Sequence, residues 1–309
     1  MSNFFKFFKK HFLDLFIIAI LLVLNLFWLP TFSHWALYPS AKEIKSENQI
    51  SEFTLPKSPI IKLDSKPILT TNNYILIDVA TNKILLTENP TSRIYPASIT
   101  KLATALTALN IYSLDEIVTV KEEYKEGKIM ELQLGEKISV QSLVSALLIH
   151  SANDAAFTLA QNYQQGSSAF IQQMNLIAQK YNLNNTHFTN VDGIHNPDHY
   201  STVYDLSQLG RIAIQNKIVS DTVKTKELLV FSEDKSISHQ LESTNELLGV
   251  TPEIEGLKTG WTPEAKGCFI SLININDHYL ISVVAQSDDR FQDTLKIINW
   301  AKKNISWED

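Results

Sequence analysis

Apolar runs of strand length stand at both ends of the body of this chain, and much of what lies between them has the pattern of helix. At the near end are residues 74–79, around Ile75 and Ile77, and residues 83–87, around Leu85 and Leu86. Ala80, Thr81 and Asn82 separate them, and asparagine tolerates the left-handed backbone that a tight hairpin requires. At the far end are residues 268–275 and 278–285, followed by an amphipathic helix over about 291–302. For these strands to form one sheet, the N-terminal hairpin must join the C-terminal strands, which sets the helical middle to one side. The expected fold is α/β of the α+β kind: an antiparallel sheet packed by helices, with a helical subdomain. The cleft between the two parts is the default site.

The middle begins with a helix expected from Ser98 to about Leu109, in a run rich in Leu, Ala and Thr. Short strand candidates follow at 117–120 and 137–140, linked by a charged loop containing Gly127 and Gly135. Residues 140–165 and 169–181 are helical in pattern, and 182–200 is a loop with Gly193 and Pro197. Ser201 or Thr202 is placed to cap a helix running to Ile214, and 227–232 is strand-like.

Ahead of this body, residues 12–29 are almost continuously apolar, interrupted by Asp14 and Asn25. Eighteen helical residues would span about 27 Å, close to the hydrocarbon core of a bilayer. Lys6, Lys9 and Lys10 precede the run, and no lysine or arginine follows in the next dozen positions, which orients the N-terminus to the cytoplasm. A cleaved signal peptide would need a small-x-small site, but the following residues, including Trp28, Phe32 and Trp35, are bulky. The expected organisation is a cytoplasmic tail at 1–11, an uncleaved membrane anchor at 12–29, a proline-containing spacer at 30–68 and an extracytoplasmic catalytic domain at 69–305. The net charge of −6 gives no basic face for nucleic acid, and the single cysteine, Cys268, excludes an internal disulfide.

Three short polar groups carry candidate chemistry. Ser98 and Lys101 lie three residues apart at the start of a helix, hence on one face, where a lysine of lowered pKa can take the proton of an attacking serine. Such a pair alone arises often by chance. Ser151 and Asn153 interrupt an otherwise apolar helical run; they are a proton relay and an amide for Lys101 or a substrate carbonyl, or simply helix caps. Lys258, Thr259 and Gly260 offer a charge, a hydroxyl and room for a ligand backbone, receptors for a carboxylate, or else a solvated strand end. His150, His187 and His195 lack metal-ligand spacing, so neither a metal nor a cofactor is expected. Cys268 reads as a small buried residue and Trp261 as a wall of the cleft or a packing group.

Taken in order, Ser-x-x-Lys, Ser-x-Asn and Lys-Thr-Gly form the set found in penicillin-binding proteins and serine β-lactamases. From about Leu69 to Trp300 the chain resembles the serine D-alanyl-D-alanine carboxypeptidases, the low-molecular-weight penicillin-binding proteins. The matching residues include Pro96 to Lys101, Ser151 to Asp154, Phe188 to Gly193, Ser201-Thr202 with Asp205-Leu206, and Gly256 to Gly260. The resemblance implies a serine β-lactamase/transpeptidase-like fold, with Ser98 as the acylated nucleophile and Lys101 as its base. It implies that Ser151 and Asn153 line the cleft and that Lys258 and Thr259 receive a terminal carboxylate. The backbone N–H groups of Ser98 and Trp261 would form the oxyanion hole after Gly260. Arg290 would reinforce the carboxylate pocket, or else pair on the surface with Asp288 and Asp289.

The implied substrate is a peptidoglycan stem peptide ending in D-Ala-D-Ala, and β-lactams are implied covalent inhibitors. Two departures stand out. Relatives commonly carry a second β-rich domain and a C-terminal amphipathic helix, whereas this sequence stops at Asp309, so the N-terminal span is expected to supply the membrane anchor. Thr244 stands where an arginine is common. A β-lactamase would need a residue such as the glutamate of a Glu-x-x-Leu-Asn segment to position water, and none lies between Asn153 and Lys258. A D,D-endopeptidase could use the same groups, and a non-catalytic wall-binding protein could keep the cleft without the chemistry.

Overall fold

The computed structural model describes residues 57–62 and 65–307. The expected anchor at 12–29, the tail before it and most of the spacer lie outside the described residues. Among the described residues no helix is long and apolar enough to cross a membrane.

The described residues begin with β1 (Pro59–Ile61), the hairpin β2 (Asn73–Asp78) and β3 (Ile84–Glu88), a 3-10 turn (Ala97–Ile99) and α1 (Thr100–Ile111). A small hairpin of β4 (Ile117–Thr119) and β5 (Lys137–Ser139) leads to α2 (Val140–Ser145), a π-helical turn (Ala146–His150), α3 (Asn153–Asn162) and α4 (Ser167–Lys180). After a long loop come α5 (Val203–Ala213), α6 (Lys217–Thr222) and a second small hairpin, β6 (Glu227–Phe231) with β7 (Ser238–Glu242). The chain then returns through β8 (Ile254–Thr262), β9 (Lys266–Ile275) and β10 (His278–Ser287) to α7 (Arg290–Asn304) and β11 (Ile305–Trp307).

The main sheet has the order β3-β2-β10-β9-β8, with every pairing antiparallel. The N-terminal hairpin thus joins the C-terminal strands as the end-to-end pattern required, with Asn73 opposite Ala285 and Asp78 opposite Leu280. Successive strand residues point to opposite faces. Ile75, Ile77, Ile270, Ile281 and Val283 face a large core shared with α1, α5 and the helical middle. Tyr74, Leu76, Phe269, Ile273, Leu280 and Val284 face a second core closed by Phe291, Ile297, Ile298 and Trp300 of α7. Both faces are covered, so the strands read as continuous apolar runs; each large apolar side chain so buried contributes about 1.5–3 kcal/mol relative to exposure.

Several expected boundaries move. Ser98 does not begin the α-helix: it sits in the 3-10 turn, and α1 starts at Thr100. The helical stretch after residue 140 breaks at Ser151, whose φ of 65° lies in the left-handed region. Thr202 caps α5, its hydroxyl accepting from the Asp205 N–H at 3.0 Å. Lys258 and Thr259 lie within the long β8 rather than at a strand end. Residues 59–61, within the expected spacer, form β1 and pair with β11. The strand β7 carries little apolar alternation, because one of its two inward residues is His239.

Candidate active site

The turn that carries Ser98 is held in an uncommon backbone shape. Ala97 is buried with φ at +49°, a left-handed conformation costly for a residue with a Cβ. Its surroundings leave it little choice. A Cβ added to Gly193 would fall 1.9 Å from the Ala97 carbonyl oxygen, and one added to Gly260 would fall 3.0 Å from both the Ala97 Cβ and the Ser98 nitrogen. The 182–202 loop and strand β8 therefore press against the turn from two sides, the first with no room for a side chain at Gly193 and the second with little at Gly260.

From the first turn of α1, Lys101 reaches back, its Nζ donating to Ser98 Oγ at 3.0 Å and to the main-chain carbonyl of Asp192 at 2.6 Å. The lysine is fully buried while Ser98 is partly open. Burial lowers the Lys101 pKa to about 8, against the opposing pull of the Asp192 and Asp154 carboxylates. A neutral amine is thus accessible near neutral pH, which is what a general base for serine needs.

A second serine–lysine pair faces the same region. Lys258 Nζ donates to Ser151 Oγ at 2.8 Å and to the Thr259 carbonyl at 2.9 Å. Burial, with Lys101, Lys128 and Arg290 adding repulsion, pushes the Lys258 pKa well below the usual lysine range. An anionic ligand beside it would reverse that pressure and keep the ammonium charged. Thr259 is buried and its hydroxyl meets that of Thr244 at 2.6 Å. Trp261, 58% exposed, does not pack in the core. β8 is an edge strand of the main sheet, so its outer backbone groups can receive an extended peptide.

Asn153 opens α3, and its amide nitrogen donates to the Glu126 carbonyl at 2.8 Å. Its backbone N–H donates to the Lys128 carbonyl at 2.7 Å, and Gly127 packs so closely that an added Cβ would lie 2.4 Å from the Asn153 Nδ2. The neighbouring Asp154 carboxylate accepts from the N–H groups of Met130, Leu132 and Ala155. Together these two residues bind the loop between β4 and β5 to the helix that lines the cleft.

Arg290, at the start of α7, is half-buried with its guanidinium 4.4 Å from the Phe291 ring centre, and its Nε has no hydrogen-bond partner. The surface pairing with Asp288 and Asp289 does not form. Asp288 binds Lys266 at 2.8 Å, and Asp289 caps α7 by accepting from the Gln292 N–H at 3.0 Å.

Four residues of the surroundings are not singled out by the sequence. Asp192 falls within the matching 188–193 segment, but it meets Lys101 through a main-chain carbonyl, which every residue has, so no side chain marks that contact. Tyr124, whose hydroxyl donates to Asp192 Oδ2 at 2.7 Å, lies in a charged loop with no recognisable pattern. Gly127 reads only as part of that loop. His199 is buried beneath the site: the Thr189 N–H donates to its Nδ1 at 3.1 Å, so Nε2 carries the proton and donates to Thr100 Oγ1 at 2.8 Å. Of the histidines that lack metal-ligand spacing, His150 accepts from the Glu242 N–H at 3.1 Å and His187 bonds the Asp198 carbonyl at 2.7 Å, both structural contacts. Cys268 is buried on β9, and burial pushes its thiol up to about 11.

The sequence profile of the D-alanyl-D-alanine carboxypeptidase family, peptidase family S11, matches residues 61–289. D-alanyl-D-alanine carboxypeptidase DacD of Escherichia coli (strain K12) is 30% identical over 257 residues, 78% of this chain and 65% of that protein's length. The D-alanyl-D-alanine carboxypeptidase of Streptomyces sp. (strain K15) is 31% identical over 80% of this chain and 92% of its own. The crystal structure of the Streptomyces K15 DD-transpeptidase superposes with a TM-score of 0.73 at 30% identity, covering 78% of this chain and all of that one. With the mixed α/β fold and the profile match in agreement, the chain belongs to the D-alanyl-D-alanine carboxypeptidases, a family of serine hydrolases.

Proposed function

We propose that this protein removes the terminal D-alanine of peptidoglycan stem peptides through an acyl-enzyme on Ser98. The observation that carries the reading is a fully buried lysine whose Nζ stands 3.0 Å from a partly open serine hydroxyl. Neutral Lys101 takes the Ser98 proton as Oγ attacks the carbonyl of the penultimate D-alanine. The developing oxyanion is received by the backbone N–H groups of Ser98 and Trp261; losing one such donor typically costs about 2.7–4 kcal/mol in the barrier. Collapse of the tetrahedral species breaks the peptide bond, and the leaving amine takes a proton from Lys101 directly or by way of Ser151. Water then attacks the ester carbonyl, giving the shortened peptide carboxylate and restoring the Ser98 hydroxyl.

The substrate's own carboxylate is received by Lys258, Thr259 and Arg290. The unpartnered Arg290 Nε and the mutual repulsion of these cations are what an incoming anion would relieve. Asn153 shapes the opposite wall through the loop it anchors. β-Lactams acylate the same serine, and the lack of a Glu-x-x-Leu-Asn segment favours a long-lived adduct over turnover.

The organisation that suits this function is a cytoplasmic tail at 1–11, a membrane span at 12–29, a spacer from 30 and a catalytic domain at 69–305 outside the membrane. The apolar run and its flanking lysines support it.

Full-length protein in detergent should release D-alanine from a peptide ending in D-Ala-D-Ala, and Ser98→Ala should not; equal release by both would overturn the assignment. Mass spectrometry should find penicillin retained on Ser98, whereas rapid production of penicilloate without an adduct would make the protein a β-lactamase. Residence in the membrane after alkaline extraction, with the domain open to protease added outside the cell, tests the topology.

A further inference from the structure

The base is fixed by a loop that shares no sequence motif with it. Lys101 Nζ donates to the Asp192 carbonyl at 2.6 Å, while the carboxylate of the same residue accepts from the Tyr124 hydroxyl at 2.7 Å and from the Ile194 N–H at 3.3 Å. Asp192 is buried, and its loop is braced by Asn190, whose Oδ1 accepts from the Gly193 N–H at 2.8 Å. Tyr124 comes from the β4–β5 loop that Asn153 and Asp154 clamp, and its ring rests 4.7 Å from that of Phe157 on α3. Two loops distant in the sequence therefore meet at one carboxylate, on the residue whose carbonyl holds the base.

We propose that Asp192 and Tyr124 are positioning residues for Lys101: the tyrosine hydroxyl holds the aspartate, and the aspartate sets both the place of the lysine amine and the negative charge it feels. This rests on the reading of Ser98 as nucleophile and Lys101 as its base.

The charges around Lys101 show why this pair has leverage. Asp192 supplies the largest favourable charge from the 182–202 loop, Asp154 a second from α3, and Lys258 an opposing one from β8. His199, beneath α1, is held neutral by burial and by the positive groups around it, with its Nδ1 lone pair committed to the Thr189 N–H. Asp154 is committed to three backbone N–H groups, so its influence does not depend on a side-chain partner. Asp192 differs because its carboxylate shares charge with a phenol. Burial and the Asp192 and Glu126 carboxylates raise the Tyr124 pKa above the tyrosine range, so the phenol stays a donor. Deleting the carboxylate charge should weaken the hold of Lys101 on its proton, and deleting only the phenol should strengthen it.

The test is the rate at which full-length protein in detergent is labelled by a fluorescent penicillin, followed from mildly acidic to alkaline pH. Asp192→Asn should move the acid limb of the profile down by about one pH unit, and Tyr124→Phe should move it up by roughly half a unit. A merely structural role would lower the labelled fraction or the melting temperature and leave the limb in place; an unmoved limb in both variants, or movement of both in one direction, overturns the proposal. Thermal melting identifies a variant that fails to fold. If Asp192→Asn does, Tyr124→Phe decides alone, and an upward shift is then required. Failure of the wild type to label on Ser98 would instead refute the acyl-enzyme reading, so the two failures are distinct.

Discussion

Lys258 donates to the hydroxyl of Ser151 at 2.8 Å, joining residues 107 positions apart in the chain. The contact brings a turn of the helical middle against a strand of the sheet, and it gives a buried amine a hydroxyl partner. Ser151→Ala adds no Cβ that the left-handed turn does not already carry, but leaves Lys258 only the Thr259 carbonyl. D-Alanine release should fall by about 10²-fold or more with little change in melting temperature. An unchanged rate would reduce Ser151 to a structural turn residue.

The glycines that flank the nucleophile should fail in different ways. Gly260→Ala puts a Cβ 3.0 Å from the Ser98 nitrogen, tighter than ordinary contact, and should displace β8 from the Ser98 turn by a few tenths of an ångström. Penicillin labelling should slow by about 10²–10³, the scale of a lost oxyanion donor, while the protein still melts cooperatively. Gly193→Ala puts a Cβ 1.9 Å from the Ala97 carbonyl oxygen, at a position whose φ is 87°. It should cost more than about 2 kcal/mol of stability, seen as a lowered denaturant midpoint.

The pH dependence of acylation follows from the direction of the Lys101 shift. Its pKa is lowered to about 8 by burial, and the base must be neutral to act. Acylation should therefore rise about tenfold per pH unit on the acid side and level off above about pH 8. A limb at the ordinary lysine position would show that the amine is solvated during reaction.

His199 makes a separate prediction about stability. Burial lowers its pKa in the folded state to about 3 from an ordinary 6.5, so the unfolded chain binds the proton more readily. Stability from this residue is intact above 6.5 and is lost progressively as pH falls towards about 3. The upper bound on the loss is about 4–5 kcal/mol. Denaturant titrations should show a steeper acid decline in the wild type than in His199→Asn, and parallel declines would refute the buried neutral imidazole.

Much of the architecture is readable in the sequence because its causes are local. The apolar runs around Ile75 and Ile77 and around Leu85 and Leu86, with the short turn between them, mark the hairpin, and the far-end runs mark its partners. The identities of Ser98, Lys101, Ser151, Asn153, Lys258 and Thr259 mark three groups whose chemistry is complementary. What is less legible has non-local causes. The start of α1 at Thr100, not Ser98, reflects the turn forced by Gly193 and Gly260 from elsewhere in the chain. The partners of Asn153 and Arg290 depend on which loop and which carboxylates arrive beside them.

By itself, then, the sequence determined the kinds of reactive group, their spacing and the need for the two ends of the body to share a sheet. Side-chain identity and hydrophobic period are properties of short stretches. Only the tertiary structure decided that Lys101 sits on the carbonyl of Asp192, that Tyr124 stands behind that residue, and that Ser151 answers to Lys258. Those choices, and the burial that brings Lys101 to about 8, arise where distant segments exclude water together. No window of sequence contains that exclusion, because desolvation belongs to the packed site as a whole.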